Sequence, residues 1–237
     1  MTRARLLLDP PLAAAENMGR DEALLKTRRI PTLRFYRWAR PTLSLGWFQE
    51  SAGLPFEAVR DRGGEAVRRP TGGKAILHGN ELTYSLCGPE IGALGGGPGP
   101  VMELIHRAFA AELESQFGTP LQIRGKDPLD SDIEGSPWCF EDSSALDLAR
   151  DGRKLLGSAA RRRRGWVLFH GSLVVQPSPE TPGTAFLGSE PDLEALARAL
   201  GEAAGLEFGR GEWEESELAR AAILADPYRD PAHLLRR

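Results

Sequence analysis

Residues 67–85 read VRRPTGGKAILHGNELTYS, and this stretch organises the reading of the whole chain. Arg68 and Arg69 offer forked guanidinium donors of the kind that suit a carboxylate or a phosphate. Gly72 and Gly73 follow Pro70 and Thr71, and a backbone without a Cβ can come closer to a ligand than any other residue allows. Beyond His78, apolar and polar residues alternate through Leu82, Thr83, Tyr84 and Ser85, the period of a half-buried strand. The pattern predicts a binding loop between two strands.

Upstream, Leu6 to Asp9 forms a short strand that Pro10 and Pro11 interrupt, and Met18, Leu24 and Leu25 mark an amphipathic helix after it. LRFYRW at 33–38 and TLSLGWF at 42–48 flank Pro41 and are expected to form an antiparallel pair. PFEAVRDRGG at 55–64 is a short helix closed by Gly63 or Gly64. Downstream of the loop, LTYSLC at 82–87 is a strand and residues 88–100 a flexible Gly/Pro segment. The clearest helix spans 101–118, where Val101, Leu104, Ile105, Ala108, Phe109, Leu113 and Phe117 share one face and Gly118 ends it.

Residues 124–138 have no periodicity, and a long loop inside a compact domain is usually functional. Asp151-Gly152 is a type I′ hairpin signal, and 166–175 alternate as a central strand. After Pro191 come two helices and a loose tail, so the expected division is a main domain over 1–190 and a short helical appendage over 191–237.

Composition sets outer bounds. The chain is 41% hydrophobic and 27% charged, as in an ordinary globular protein, and a net charge of −3 favours neither nucleic acid nor membrane as a partner. No window approaches the ~20 apolar residues of a membrane span, and the apolar run near Leu6 is too short for a secretory signal, so a cytoplasmic location is expected. Cys87 and Cys139 cannot form a disulfide framework and no cluster has metal-ligand spacing, so both are read as free thiols and no metal is expected.

The paired arginines, the turn ending in Gly72-Gly73, His78, and the strand closing on Tyr84 and Ser85 resemble the lipoate-protein ligase and octanoyltransferase superfamily, whose fold is shared with biotin protein ligases. The resemblance implies an α+β fold, a large mixed sheet plus a smaller sheet with helices packed on one side. A second stretch, residues 137–175, carries Cys139-Phe140, then GRKLLGSA at 152–159 and HGSL at 170–173. By likeness, Lys154 lies against the acyl carbonyl, with Gly157, Ser158 and Ala159 beside it. The Cys-Phe pair is similar to the cysteine-dependent octanoyltransferases, which implies an acyl thioester on Cys139. Many relatives carry glutamine where this chain has Ala160 and Phe169, two positions expected beside the ligand groove.

These likenesses imply Cys139 and Lys154 as catalytic residues, with Arg69, Gly72, Gly73, His78, Gly157, Ser158, Ala159 and His170 binding substrate. The chemistry is coherent by itself. A thiol of ordinary pKa, about 8.5, is a weak nucleophile until a nearby ammonium favours its thiolate, and that ammonium can also stabilise an oxyanion. The implied reaction moves an octanoyl group from octanoyl-acyl carrier protein to a lysine of a lipoyl domain, such as glycine-cleavage H protein, without metal or dissociable cofactor. An ATP-dependent lipoate ligase, an amidotransferase acting between lipoyl domains and a non-catalytic acyl-binding protein stay open as alternatives. Cys87, His106 and His233 are read as ordinary packing residues. Arg161 to Arg164 are read as a solvated hairpin tip, with docking of an acidic carrier as the second reading.

Overall fold

In a computed structural model, residues 1–177 and 183–236 are described. In chain order the elements are β1 (Thr2–Leu8), α1 (Ala14–Thr27), β2 (Thr32–Tyr36), β3 (Thr42–Leu45), α2 (Phe56–Asp61), β4 (Glu65–Arg68), β5 (Ile76–His78), β6 (Glu81–Pro89) and α3 (Pro98–Phe117). The second half adds β7 (Gln122–Ile123), β8 (Leu148–Arg150), β9 (Arg153–Arg163), β10 (Trp166–Val174), α4 (Leu193–Ala204), β11 (Leu206–Arg210), α5 (Glu215–Arg229) and α6 (Pro231–Leu235). Eight strands form one mixed sheet, ordered β11-β1-β2-β6-β10-β9-β8-β7, and β4-β3-β5 form a small second sheet. The α+β arrangement expected from the sequence is therefore present.

The period-2 alternation of β6 explains the layering. Leu82, Tyr84 and Leu86 enter the main core against Ile105, Phe109 and Leu113 of α3, while Cys87 on the other face packs with Leu24 and Leu25 of α1. Full burial of a side chain such as Phe109 contributes roughly 1.5–3 kcal/mol. All seven residues of the expected α3 stripe belong to or pack on that core, and Gly118, at φ +64°, closes the helix by donating its N–H to Glu114 O. The helix starts earlier than expected, at Pro98, because proline suits a first turn where no N–H partner exists.

Helices cover both faces of the large sheet, not one. α3 and α4 lie on the main core, whereas α1 packs on the opposite face and α5 packs on α1. A Cβ at Gly19 of α1 would stand 2.5 Å from Ala221 O of α5, so the two helices meet at backbone distance.

Two further expectations change. β2 and β3 do not pair: they belong to different sheets, since the chain between them passes through Pro41, whose carbonyl accepts from Glu65 N as the small sheet begins. The region after Pro191 contains its two helices but also β11, which joins the large sheet parallel to β1. This strand escaped notice because it is a short edge strand burying only Leu206 at its start. The last residues are not a loose tail, for α6 places Leu234 O 2.9 Å from Arg68 Nε.

Candidate active site

Four adjacent strands, β2-β6-β10-β9, present two polar rungs on the face away from α3. Register aligns Arg34, Ser85, His170 and Ala159 in one rung and Tyr36, Thr83, Ser172 and Gly157 in the next. The small sheet roofs this floor with Ser44, Ile76 and His78, and Trp38 and Arg69 complete the walls of a narrow cleft. Cys139 opens onto it.

Lys154 comes to the cysteine through a bulge. Leu148 pairs with Leu156 and Ala149 with Lys154, so Leu155 is an extra residue in β9. Leu155 and Leu156 both enter the main core, and the parity shift puts Lys154 and Gly157, three residues apart, on the same face. Lys154 is only 2% exposed, with Nζ 3.3 Å from Cys139 Sγ and 2.7 Å from both Cys139 O and Asp147 Oδ2. Burial pulls the lysine pKa down, but the negative charges of Cys139 and Asp147 together outweigh it and hold it above its ordinary value. Asp147 was missed in the sequence; it lies in an ordinary Leu-Asp-Leu run with no local mark of its partner.

The 3-10 turn Cys139–Glu141 is fastened to the Gly-Gly loop. Cys139 N donates to Ala75 O at 2.8 Å, Ala75 N to Pro137 O at 3.0 Å, and Lys74 Nζ to Ser136 O at 2.6 Å. The two stretches singled out in the sequence thus become one wall.

Within that wall the arginines are clamps. Arg68 donates to the carbonyls of Leu234, Gly46, Trp47 and Gln49, and Arg69 to those of Ser44, Gly72 and Lys74. These donors are engaged by the protein's own backbone, not presented to a carboxylate or phosphate as the sequence suggested. Burial lowers Arg69 to about 10, with the Cys139 charge opposing the shift. Gly72 and Gly73 do not line the cleft. Gly73, at φ +93°, instead meets Gly46, where a Cβ would lie 1.8 Å from Gly73 O.

His78 lines the cleft stacked on Trp38 at 4.1 Å, with Nδ1 3.0 Å from Glu81 Oε1. His170 Nε2 is hydrogen-bonded with the Thr71 hydroxyl, and its Nδ1 is 3.6 Å from Asp21 Oδ2. Burial lowers the pKa of both histidines. Burial also pushes Asp21 up, but fully buried Arg34, with His170 and Ser85, more than offsets this and leaves the carboxyl below its ordinary value.

The Ser158 hydroxyl turns away from this floor toward α3, where Tyr84 OH and His106 Nε2 each lie at 2.7 Å. His106 Nδ1 donates to Leu146 O, so Nε2 is the acceptor and Ser158 its donor. His106, read as plain packing, therefore pins the residue before Asp147. Ala160 and Phe169 pair directly across β9 and β10 and lie with the main core, not beside the groove. Cys87 is buried and its thiol pKa is pushed up by that burial, as a packing residue requires.

The arginine run is only partly solvated: Arg161 donates to Pro70 O and sits 4.6 Å over the Trp47 ring, and Arg162 pairs with Glu90. Among the described residues no group of three or more His, Cys, Asp or Glu is placed to hold a metal, and no helix is long and apolar enough to cross a membrane.

The chain is similar to several known proteins. Octanoyltransferase LipM of Moorella thermoacetica is 42% identical over 165 residues, 67% of this chain and 60% of its own length. The enzyme of the same name from Kyrpidia tusciae is 38% identical over 189 residues, 74% of this chain and 67% of its own length. The matched region thus spans about three fifths to two thirds of these relatives. Among solved structures, protein Ta0514 of T. acidophilum with bound lipoic acid superimposes with a TM-score of 0.79 at 20% identity, covering 99% of this chain and 100% of that one. Lipoate-protein ligase A bound with ATP gives 0.76 at 21% identity, covering 99% and 98%, so the fold is the same. The model of the lipoyl protein ligase A/B catalytic domain matches residues 13–195, which hold six of the eight strands of the large sheet, the small sheet and the cleft, and the chain belongs to that family.

Proposed function

We propose that the protein transfers an octanoyl group from octanoyl-acyl carrier protein, through a thioester on Cys139, to a lipoyl-domain lysine, with glycine-cleavage H protein as first acceptor. The observation that carries this reading is the Lys154 ammonium 3.3 Å from the Cys139 sulfur at a cleft wall. Relatives named octanoyltransferase support the same chemistry.

In the first half-reaction the Cys139 sulfur attacks the donor's thioester carbonyl. The Cys139 S–C bond forms, the donor's S–C bond breaks, and the proton given up by Cys139 ends on the departing thiol. The acceptor's amine nitrogen then attacks the Cys139 thioester, an amide C–N bond forms, the Cys139 S–C bond breaks, and a proton from nitrogen restores the cysteine thiol. In both steps Lys154 favours the thiolate and stabilises charge on the carbonyl oxygen. Apolar Trp38 and Ile76 suit an alkyl chain, and small Gly157 and Ala159 leave the floor open.

Intact-mass measurement tests the reading: the protein is incubated with octanoyl-acyl carrier protein and, separately, with octanoate plus ATP. An octanoyl adduct from the carrier alone is the expected result. Product only from octanoate plus ATP would make the chain a ligase instead.

A further inference from the structure

Asp147 is buried beneath the proposed catalytic pair and has no part in the chemistry described so far. Its Oδ2 lies 2.7 Å from Lys154 Nζ and also accepts from Ser144 N at 2.7 Å. The backbone around it is held from two more sides. Arg124 N donates to Asp147 O, and His106 Nδ1 donates to the carbonyl of Leu146. A lysine reaching from one strand to a sulfur on another loop has four rotatable bonds, and Cys139 meets its ammonium at the sulfur and the carbonyl. The Asp147 carboxylate adds a further contact at 2.7 Å from an element other than the cysteine's own loop.

We propose that Asp147 is a positioning residue, holding the Lys154 ammonium on the Cys139 sulfur so that it meets the thiolate and the carbonyl oxygen of the acyl group. This rests on the reading of Cys139 as acyl carrier. A bystander carboxylate would behave oppositely, because its negative charge near the sulfur would oppose a thiolate.

The test is a double-mutant cycle with Asp147→Asn, Lys154→Met and the pair, read in two ways: kcat and KM for octanoyl-acyl carrier protein, and the rate at which iodoacetamide alkylates Cys139 at pH 7. Asp147→Asn is expected to lower kcat by about tenfold or more with KM within about twofold, and to slow alkylation, as loss of an orienting contact does. In the Lys154→Met background it should change neither reading by more than about twofold, because a residue acting through another has nothing left to act on.

If the single Asp147→Asn variant does not fold, Asp147→Glu takes its place: it keeps the charge and displaces it, so a lower kcat with KM within about twofold is expected, and a parental kcat overturns the proposal. Faster alkylation in Asp147→Asn, or a double variant slower than Lys154→Met by the factor seen in the single, overturns the proposal. Alkylation needs no acyl donor. Failure of the parent to take up octanoate from the carrier would therefore sink the transferase reading while the Asp147–Lys154 coupling was still measured.

Discussion

Gly157 lies directly against Lys154: a Cβ built there would stand 2.6 Å from Lys154 Cε and 2.8 Å from Nζ. A methyl group at that position must push the lysine off the sulfur. Gly157→Ala is therefore expected to slow acylation of Cys139 by roughly 10²-fold, the scale of a 1 Å misplacement, while the protein stays folded. Stopped-time intact mass with octanoyl-acyl carrier protein measures this, and a parental rate would mean that the lysine need not occupy its observed place.

The two cysteines should separate cleanly. Cys139→Ala is expected to form no octanoyl adduct, and Cys139→Ser to lose nearly all transfer because an alcohol is a far weaker nucleophile at neutral pH. Cys87→Ala, in an apolar cluster with Leu24, Leu25 and Leu168, should keep a hydroxylamine-sensitive adduct on Cys139. Full transfer by Cys139→Ser would end the thioester mechanism.

The glycines of the loop are expected to differ sharply. Gly46→Ala drives a methyl into Gly73 O at 1.8 Å and should destabilise the protein by about 1–3 kcal/mol, the usual cost of overpacking. Gly73→Val combines φ +93° with a Cβ 2.7 Å from Arg69 Nη2, so it should loosen the arginine clamp as well. Gly72→Ala meets nothing within 4 Å and should stay within about 0.5 kcal/mol of the parent. Urea titration ranks the three, and equal stabilities would contradict the packing of residues 46 and 73.

Stability should fall as the pH drops below 6.5. Burial lowers His106 from its ordinary 6.5, and His78 and His170 shift the same way. Below 6.5 the unfolded chain therefore binds more protons than the folded one, so the stability present above that value is lost as pH decreases. His106→Gln should flatten the fall between pH 6.5 and 5 by up to about 1.4 kcal/mol per pH unit, the share of one proton. An unchanged slope by urea titration at several pH values would show that this histidine does not titrate on unfolding.

Much of the architecture follows from local pattern. The alternation of Leu82, Tyr84 and Leu86, the seven-residue stripe of α3 and the Asp151-Gly152 turn, whose residues both adopt positive φ, act over a few residues and were readable as such. The Cys139–Lys154 pair was singled out by the resemblance of its flanking residues to a known family, not by local pattern. Their closeness was not derivable from spacing, since it depends on a bulge at Leu155 that reverses the facing of Gly157 relative to Lys154.

Pairing between distant segments decided the rest. The separation of β2 from β3, the entry of β11 beside β1, the folding back of Leu234 onto Arg68, and the meeting of Asp147 with Lys154 all join residues whose own neighbours in sequence do not signal the contact. Local propensity can state that Arg68 and Arg69 are strong donors. Only the packed backbone, which brings the carbonyls of residues 44, 46, 72 and 74 around them, makes them clamps of the site.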